Sequence, residues 1–489
     1  MTRTAALLTI MLTLTGCTLL HPWHTQPHLP EVPPTWTAVS TGKQTFDAAA
    51  WRREFADSRL TALIEEALGN NFDLRAAASR IQAARANATI AGADRAPQIS
   101  ASLNASRAKR ATVVGGAVIS GISNYFQSGI EIRWEADLWG RLSHQARAAT
   151  LELAASEADY HAARLSLAAN ISRSWFNAIE AQQQVELSRR TVANYRRALE
   201  NIQERYRSGL NRALDLRLAR SNLAGAKSQL AAQQLRLDRQ LRILQTLLGR
   251  YPSRQIALPD ALPDLQQPIP ARLPADLLNR RPDLVAALRR LQAADEHASQ
   301  AAKNRLPRIQ LTAGGGTSSD QLNSLLEGDR LIWSIVGGIT APLFQGGRLM
   351  ANQQLARANA EQAVNQYAQT LLNAFREVET ALAAAPLLET QQQALQSVVE
   401  EIRKSERLVA RQYHAGLVDV TTWLEIQRRL LDAESALIRI RNQRLQNRID
   451  LHLALGGDFV AISGSGAVDT DGFTTREPPP ERDSEAAEQ

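Results

Sequence analysis

An internal repeat constrains the fold of this chain more than any other feature of its sequence. The segment Tyr206–Leu210 returns as Tyr413–Leu417 at an offset of 207 residues, and the pair Ala96-Pro97 returns as Leu306-Pro307 at an offset of 210. Chance similarity between two alanine-rich halves would not keep such glycine, proline and tyrosine landmarks in register. Because self-similarity at a fixed period indicates duplicated structural units, we predict two copies and a linker. These are residues 58–249, residues 274–456 and the proline-rich stretch 250–273 between them.

Each copy begins with helical sequence and then changes to a period of two. Ala, Leu, Arg and Gln with helical spacing fill residues 60–96 and 274–306, with cap or turn residues near positions 70–74 and 281–284. Alternation of apolar and polar residues then follows at 97–106, 126–138, 307–316 and 333–341. A strand of about 9 to 11 residues, apolar on one face and polar on the other, suits a transmembrane β-barrel. A half-buried sheet in a soluble protein is the alternative.

These strands predict one β-hairpin in each copy, at residues 97–138 and 307–343. Residues 111–130 carry no charge and could be mistaken for a membrane helix. Several glycines in this stretch, including Gly115 and Gly116, instead favour a hairpin loop followed by the second strand.

Very long helical hairpins are predicted after each pair of strands, over residues 141–249 and 348–456. Proline is absent between Arg141 and Arg207, and Pro386 is the one proline between Arg348 and His414. A helix of this length, at about 1.5 Å per residue, measures roughly 100 Å. Pro386 should bend or loosen the second long helix, because it removes an internal hydrogen bond. Heptad-spaced leucines indicate coiled-coil packing; they are Leu216, Leu223, Leu230, Leu237 and Leu244. A leucine-zipper transcription factor would also need a basic region, which is missing.

The N-terminus predicts export and lipid attachment. An uncharged run after Arg3 has the form of a secretory signal at residues 1–16. The last residues of this signal and the cysteine after it, Leu14-Thr15-Gly16-Cys17, resemble a bacterial lipobox. Cys17 is the only cysteine of the chain. We therefore predict a diacylglyceryl and N-acyl lipid on Cys17, followed by an extended tether at residues 17–57. A signal peptide with a chance cysteine is the alternative. The acidic, proline-containing tail at 457–489 is predicted to be disordered.

Composition and motifs argue against an enzyme or a nucleic-acid-binding protein. The net charge is +7, from 56 basic and 49 acidic residues that are intermixed along the chain. The sequence has no nucleophile elbow, P-loop or His-Glu-x-x-His motif. His21, His24 and His28 could bind copper or zinc near the tether, although three histidines in a flexible segment more often bind nothing. We predict no catalytic residues, no metal site, and no cofactor besides the lipid on Cys17.

The whole pattern resembles the TolC-like outer-membrane efflux proteins, in particular the lipoprotein branch that serves resistance-nodulation-division (RND) pumps. The resemblance covers residues 17–456. The features that carry it are the lipobox, Phe55–Leu60, the strand starts at Pro97 and Pro307, the segments Asp137–Arg141 and Pro342–Arg348, and the two Tyr-x-x-Gly-Leu motifs.

The resemblance implies a homotrimer, mainly α-helical, with a 12-stranded transmembrane β-barrel and a 12-helix periplasmic α-barrel. Four strands cannot close a barrel, whereas two copies would give eight strands and three would give twelve. The implied role is a passive exit duct for small molecules such as drugs, in the outer membrane of a Gram-negative bacterium. Its partners would be a periplasmic adaptor and an inner-membrane RND pump. A type I duct for proteins or peptides and a lipid-anchored coiled-coil spacer are the alternatives.

The turns Tyr206–Asn211 and Tyr413–Val418 each place a glycine where a helix is expected to end in a left-handed cap, and we predict them to be the tips of the helical hairpins. The resemblance also implies roles for residues near these two tips. Similar proteins place an acid about nine residues after the second tip glycine at the constriction, which corresponds to Glu425, and Asp419 lies nearer the tip. Asp215 matches an acid that holds neighbouring helices together, with Arg205 or Arg411 as its partner. A ring of three carboxylates would favour cations and respond to pH. These acids could equally be ordinary solvated side chains. The residues expected to dock the adaptor are Gly209, Leu210, Gly416 and Leu417.

Overall fold

The computed structural model describes residues 30, 32–38, 55, 57–265 and 277–457. The predicted signal peptide, Cys17, the three histidines near the tether and the tail beyond residue 457 lie outside the described residues. Twelve helices and strands follow in chain order. They are α1 (Ser58–Asn70), α2 (Phe72–Ala93), β1 (Gln98–Val114), β2 (Ala117–Ala136), α3 (Arg141–Arg207), α4 (Ala213–Leu247), α5 (Leu277–Arg280), α6 (Pro282–Lys303), β3 (Arg308–Ser319), β4 (Leu331–Thr340), α7 (Arg348–His414) and α8 (Val420–Ala454).

Polar side chains fix where the short helices begin. The Asp57 carboxylate accepts hydrogen bonds from the backbone N–H groups of Arg59 and Leu60, at 2.9 and 3.1 Å, and so caps α1. Asn71 separates α1 from α2, because its side chain accepts a 3.0 Å bond from Leu74 N–H. Pro282 occupies the first turn of α6, where its missing N–H costs nothing.

Two helices of 67 residues, α3 and α7, form the long axis of the molecule. At about 1.5 Å per residue, each measures roughly 100 Å. Helix α7 continues through Pro386 as a helix. The shorter α4 and α8, of 35 residues each, return along α3 and α7 as antiparallel partners, and α8 also packs on α3. Within the described ranges, no helix combines the length and apolarity needed to cross a membrane.

Two apolar clusters hold these helices together away from the tips. The first surrounds Trp175 and Phe176 of α3, which are fully buried with Leu60 and Ile64 of α1. The second joins α6 to α7 around Leu284, Leu371 and Val378, and it includes Trp36 from the tether. Thr37 adds hydrogen bonds of 2.8 and 2.9 Å to the Glu379 carboxylate, so this part of the tether is fixed on α7.

The four strands form one antiparallel sheet in the order β1-β2-β3-β4. The sequence prediction for β1 and β2 needs correction, because β1 continues to Val114 rather than ending near residue 106, and β2 begins at Ala117. Gly115 and Gly116, with φ of 58° and 86°, make the two-residue turn between them. Positive φ at both turn residues matches the twist of paired strands, and β-branched residues flank the turn. The hairpin is therefore a continuous ladder with almost no loop.

The strand register separates an apolar face from a polar face. Ile99 lies opposite Ile132, and Ala101 opposite Ile130, on the apolar face, where Ile99 and Ile130 are 70% and 56% exposed. The polar face pairs Gln98 with Arg133, Ser100 with Glu131, and Asn104 with Gln127. The outer edges of β1 and β4 have no strand partner among the described residues. A single chain thus leaves both a wide apolar surface and two backbone edges uncovered.

Candidate functional site

The two helical hairpins end in turns of identical design. In the first, Gly209 N–H bonds to Tyr206 O at 3.0 Å and Leu210 N–H bonds to Arg205 O at 2.8 Å. In the second, Gly416 and Leu417 make the equivalent bonds to Tyr413 and Gln412. This pattern is the Schellman motif, which needs a left-handed residue after the helix cap. Gly209 and Gly416 supply it, with φ of 74° and 77°.

Each turn presents an apolar side chain at the far end of the long helices. Leu210 is 68% exposed and Leu417 is 75% exposed. The four residues predicted to dock the adaptor therefore lie at the ends of the helical hairpins, and the docking itself stays a prediction.

A third apolar cluster, here called the tip cluster, lies just behind the turns and joins the two copies. Its buried members are Val192, Tyr195, Ala198, Ile202, Leu216, Ala219, Ala226, Tyr413, Val420, Trp423 and Leu424. The Tyr413 and Trp423 rings stack with their centroids 4.9 Å apart and an interplanar angle of 24°. Asn211 Nδ2 donates to the Tyr413 hydroxyl at 3.2 Å, so the first turn is bonded to the end of α7. The cluster thus holds the α7–α8 hairpin against the α3–α4 hairpin.

Glu425 lies on α8, two residues after the tip cluster residue Trp423, and it is paired with two arginines of its own helix. Its carboxylate accepts bonds from Arg428 at 2.9 to 3.1 Å and from Arg429 at 3.0 Å. These bonds, first from Arg429 and then from Arg428, lower the pKa of Glu425. Counting only the carboxylate and the two guanidinium groups, the local charge is positive. The expected ring of three Glu425 carboxylates stays a prediction, and within one chain each carboxylate is flanked by two positive charges.

Asp419 and Asp215 cap the helices that follow the two turns. Asp419 Oδ1 accepts bonds from Thr422 N–H at 2.9 Å and from the hydroxyls of Thr422 and Thr421 at 2.7 and 2.8 Å. The bonds from Thr422, followed by that from Thr421, lower the pKa of Asp419. Asp215 Oδ2 accepts a 3.1 Å bond from Arg212 N–H. Each acid thus helps its helix to begin next to the turn.

The expected pairing of Asp215 with Arg205 or Arg411 does not form within the chain. Arg205 Nε donates to Asn211 Oδ1 at 3.1 Å, and its guanidinium lies 5.3 Å from the centre of the Tyr413 ring. Arg411 makes no side-chain hydrogen bond or ion pair with the rest of the described chain. A pairing between subunits stays a prediction, and Arg205 already has an intrachain role at the tip.

The partners that connect the two copies at the tip were not predicted from the sequence. Tyr206 and Tyr413 occupy equivalent positions in the repeat, yet Tyr206 is 41% exposed whereas Tyr413 is 3% exposed. Trp423, which has no aromatic counterpart at the equivalent position Leu216, is the sequence signal that distinguishes the two tyrosines.

An open groove of about 580 Å³ lies beside the tip cluster, between α3 and the α7–α8 hairpin. It is lined by Arg190, Asn194, Arg197, Glu406, His414 and Gln427.

The described residues contain no group of three or more His, Cys, Asp or Glu side chains placed to hold a metal ion. His21, His24 and His28, which we considered and did not favour as copper or zinc ligands, lie outside those residues. The site is therefore characterised by packing, helix caps and charge.

Comparison with known proteins places this architecture in a family. The family model described as "Outer membrane efflux protein" matches residues 63–250 and 273–457. The Escherichia coli O6:H1 cation efflux system protein CusC is 31% identical over 92% of this chain and 97% of its own length. The Pseudomonas aeruginosa outer membrane protein OprJ is 32% identical over 92% and 95%. The solved Campylobacter jejuni CmeC outer membrane channel superimposes with a TM-score of 0.83, at 26% identity over 91% of this chain and 96% of CmeC. The chain belongs to the outer membrane efflux protein family and is an outer-membrane efflux channel that extends into the periplasm.

Proposed function

We propose that three copies of this chain form a passive exit duct, with a 12-stranded β-barrel in the outer membrane and a 12-helix α-barrel in the periplasm. The carrying observation is the four-stranded sheet, whose two edges pair with no other strand in the part of the chain that the structure describes and whose apolar face is exposed. The duct conducts small molecules such as drugs, delivered by an inner-membrane RND pump through a periplasmic adaptor.

The physics of the bilayer requires the sheet to close. Backbone N–H and C=O groups without partners are too costly in hydrocarbon for an open sheet edge to persist there. Three sheets of four strands give 3 × 4 = 12 strands, and β1 of one subunit then pairs with β4 of the next. A barrel of eight strands is filled by its own side chains, whereas twelve strands enclose water. The polar face, with Glu131, Arg133 and Gln127, lines this lumen.

The helical part continues the duct below the membrane. Each chain contributes α3, α4, α7 and α8, so three chains supply 3 × 4 = 12 helices. At roughly 100 Å, α3 and α7 are long enough to reach deep into the periplasm. The lipid on Cys17 adds a second attachment to the outer membrane, next to the barrel.

The tips close the duct at rest and dock the adaptor. Gly209, Leu210, Gly416 and Leu417 supply the docking contacts, since they lie at the end farthest from the sheet. Asp215, Asp419 and Glu425, with Arg205 and Arg411, set the charge around the constriction. Because Glu425 is held by two arginines, protonation of this acid near neutral pH does not open the gate.

Disulfide cross-linking between β1 and β4 tests the trimer. A cysteine at Leu103 in β1 is combined in turn with a cysteine at Leu331, Trp333 or Ile335 in β4, because a disulfide needs Cβ atoms about 4 Å apart. We expect at least one pair to give covalent trimers on oxidation. The control pair is Ser128→Cys with Thr317→Cys, whose hydroxyl groups lie 2.9 Å apart within one chain. It should cross-link without any increase in mass.

Planar-bilayer recording completes this test. Purified wild-type protein should carry current after reconstitution. Monomers from all three β1–β4 pairs, together with no current from folded protein in lipid, would refute the proposal.

A further inference from the structure

The apolar face of the sheet carries two positive charges. Alternation along β1 puts Arg107 and Lys109 on the same side as Ile99 and Leu103. They are the only charged side chains on the apolar face of the four strands, since Arg110, Glu131, Arg133, Glu135 and Arg308 lie on the polar face. Charge on a lipid-facing surface is costly at the bilayer centre and costs little near the interface. Two basic residues on this face therefore mark one boundary of the hydrocarbon.

The strand lengths identify which boundary this is. A tilted strand crosses the hydrocarbon in about 9 to 11 residues. Counted from Gln98, where β1 follows the periplasmic helix α2, that crossing ends close to Arg107 and Lys109. The cross-strand neighbours of these two residues are Asn124 and Ile122, just beyond the aromatic residue Phe126. Arg107 and Lys109 consequently lie at the outer leaflet.

We infer that Arg107 and Lys109 form a binding surface for the phosphate groups of outer-leaflet lipids; this inference rests on the proposed barrel. Both side chains are exposed, and neither makes a hydrogen bond or ion pair with the described part of the chain. An Arg fork and a Lys ammonium two residues apart on one strand face suit the oxygens of a lipid phosphate. They point away from the lumen, so their partner comes from the membrane side.

Acidic residues of the β3–β4 loop are the rival partners. Arg330 engages two of them, since its guanidinium lies 3.7 Å from Asp320 and 3.4 Å from Glu327. Asp329 remains as an acid that a neighbouring subunit could bring to β1. If Arg107 and Lys109 paired with such an acid, replacing them would weaken the trimer in detergent that contains no phospholipid. The proposal requires the trimer of the variant to keep its thermal stability in that detergent.

Lipid binding to the purified trimer tests the inference. Bis-phosphorylated lipid A and its dephosphorylated form are titrated in mixed detergent micelles, and bound lipid is measured by native mass spectrometry. One basic group near a charged lipid surface contributes about fivefold to affinity. Arg107→Gln and Lys109→Gln should each weaken binding of the phosphorylated lipid about fivefold, and together about 25-fold. Arg110→Gln removes the same charge from the polar face and should leave lipid binding unchanged.

The outcomes separate this inference from the proposed function. Channel current and trimer mass should be those of wild type in the Arg107→Gln/Lys109→Gln protein. Equal binding by all variants, equal loss with Arg110→Gln, equal affinity for the dephosphorylated lipid, or a less stable lipid-free trimer would each overturn the inference. Wild-type protein that is monomeric and passes no current would instead refute the barrel on which the inference rests.

Discussion

Replacing Trp423 by alanine should open the periplasmic end of the channel. Trp423 is 6% exposed, stacks on Tyr413 and directs its indole N–H towards Glu406 at 3.4 Å. It is the largest side chain of the tip cluster. Without it, the α7–α8 hairpin keeps its own turn and caps but loses the largest side chain that packs in the tip cluster with residues of the α3–α4 hairpin.

The size of the effect follows from the cavity that the substitution leaves. Removing a buried aromatic side chain costs about 3 to 5 kcal/mol, and about 1.4 kcal/mol changes an equilibrium tenfold. The population of separated tips should therefore rise by about a hundredfold or more. The first two apolar clusters, around Phe176 and Leu371, are far along the helices and keep their contacts. The channel should stay folded, with the opening confined to its tips.

Single-channel recording of Trp423→Ala in planar bilayers measures this opening directly. We expect larger conductance and longer open times than in the wild type. Leu417→Ala is the matched control, since this side chain is 75% exposed and outside the cluster, and its conductance should equal that of the wild type. A correctly trimeric Trp423→Ala channel with wild-type conductance would show that the aromatic stack does not hold the gate.

Three further changes probe the electrostatics of the helices. Glu425→Ala should raise conductance and shift the reversal potential in a KCl gradient towards anion selectivity, because Arg428 and Arg429 lose their counter-charge. An unchanged conductance and reversal potential would show that Glu425 does not line the constriction. Asp419→Ala should destabilise the start of α8 by about 0.5 to 2 kcal/mol and speed amide exchange there. In the wild type this cap should persist while Asp419 is ionised and should be lost only as the pH falls through the lowered pKa of Asp419. Fast amide exchange at the start of α8 at pH 5 would therefore contradict the capping role of Asp419. Arg236→Ala leaves the buried Glu180 carboxylate without its 2.6 Å partner. Burial raises the pKa of Glu180, so the folded state holds the carboxyl proton more tightly than the unfolded state does. The melting temperature of the variant should therefore fall further below that of the wild type at pH 8 than at pH 5. A fall of equal size at both pH values would be inconsistent with this reasoning.

The helices were predictable because their signals are local. Proline-free sequence between Arg141 and Arg207 predicts the long helix, and the glycine at 209 ends it with a left-handed cap, as the structure has it. A helix start likewise depends on residues within one turn, such as Asn71 before α2. The mainly helical fold with one small sheet could therefore be read from periodicity and caps.

The lengths of the strands were harder to predict, because strand pairing continues as long as two segments remain compatible. The alternation of polar and apolar residues fades after Ser106, yet Val113 and Val118 still pair around the Gly115-Gly116 turn. Weak alternation therefore shortened the predicted β1. The structure shows instead that the ladder runs without a break to the turn.

Partners far apart in sequence were beyond prediction from one chain. Gln184 on α3 accepts a 2.9 Å bond from Ser435 on α8, across 251 positions. Asn211 Nδ2 likewise donates to the Tyr413 hydroxyl across 202 positions. By contrast, Arg428 and Arg429 follow Glu425 by three and four positions, the spacing at which helix neighbours form ion pairs. This local signal was available and would have predicted the neutralised acid.

The two copies differ in the packing of their hairpin tips. The proposed trimer places six similar helical hairpins around one axis, and six equivalent hairpins would have to open together. The structure breaks this equivalence, because the second copy carries the buried Tyr413 and Trp423 while the matching residues of the first, Tyr206 and Leu216, make no aromatic stack. In this proposal, loosening the tip cluster of each subunit would release three of the six hairpins, while the other three would keep the tunnel wall intact. Duplication would then supply the wall, and divergence between the copies would confine movement to alternate hairpins.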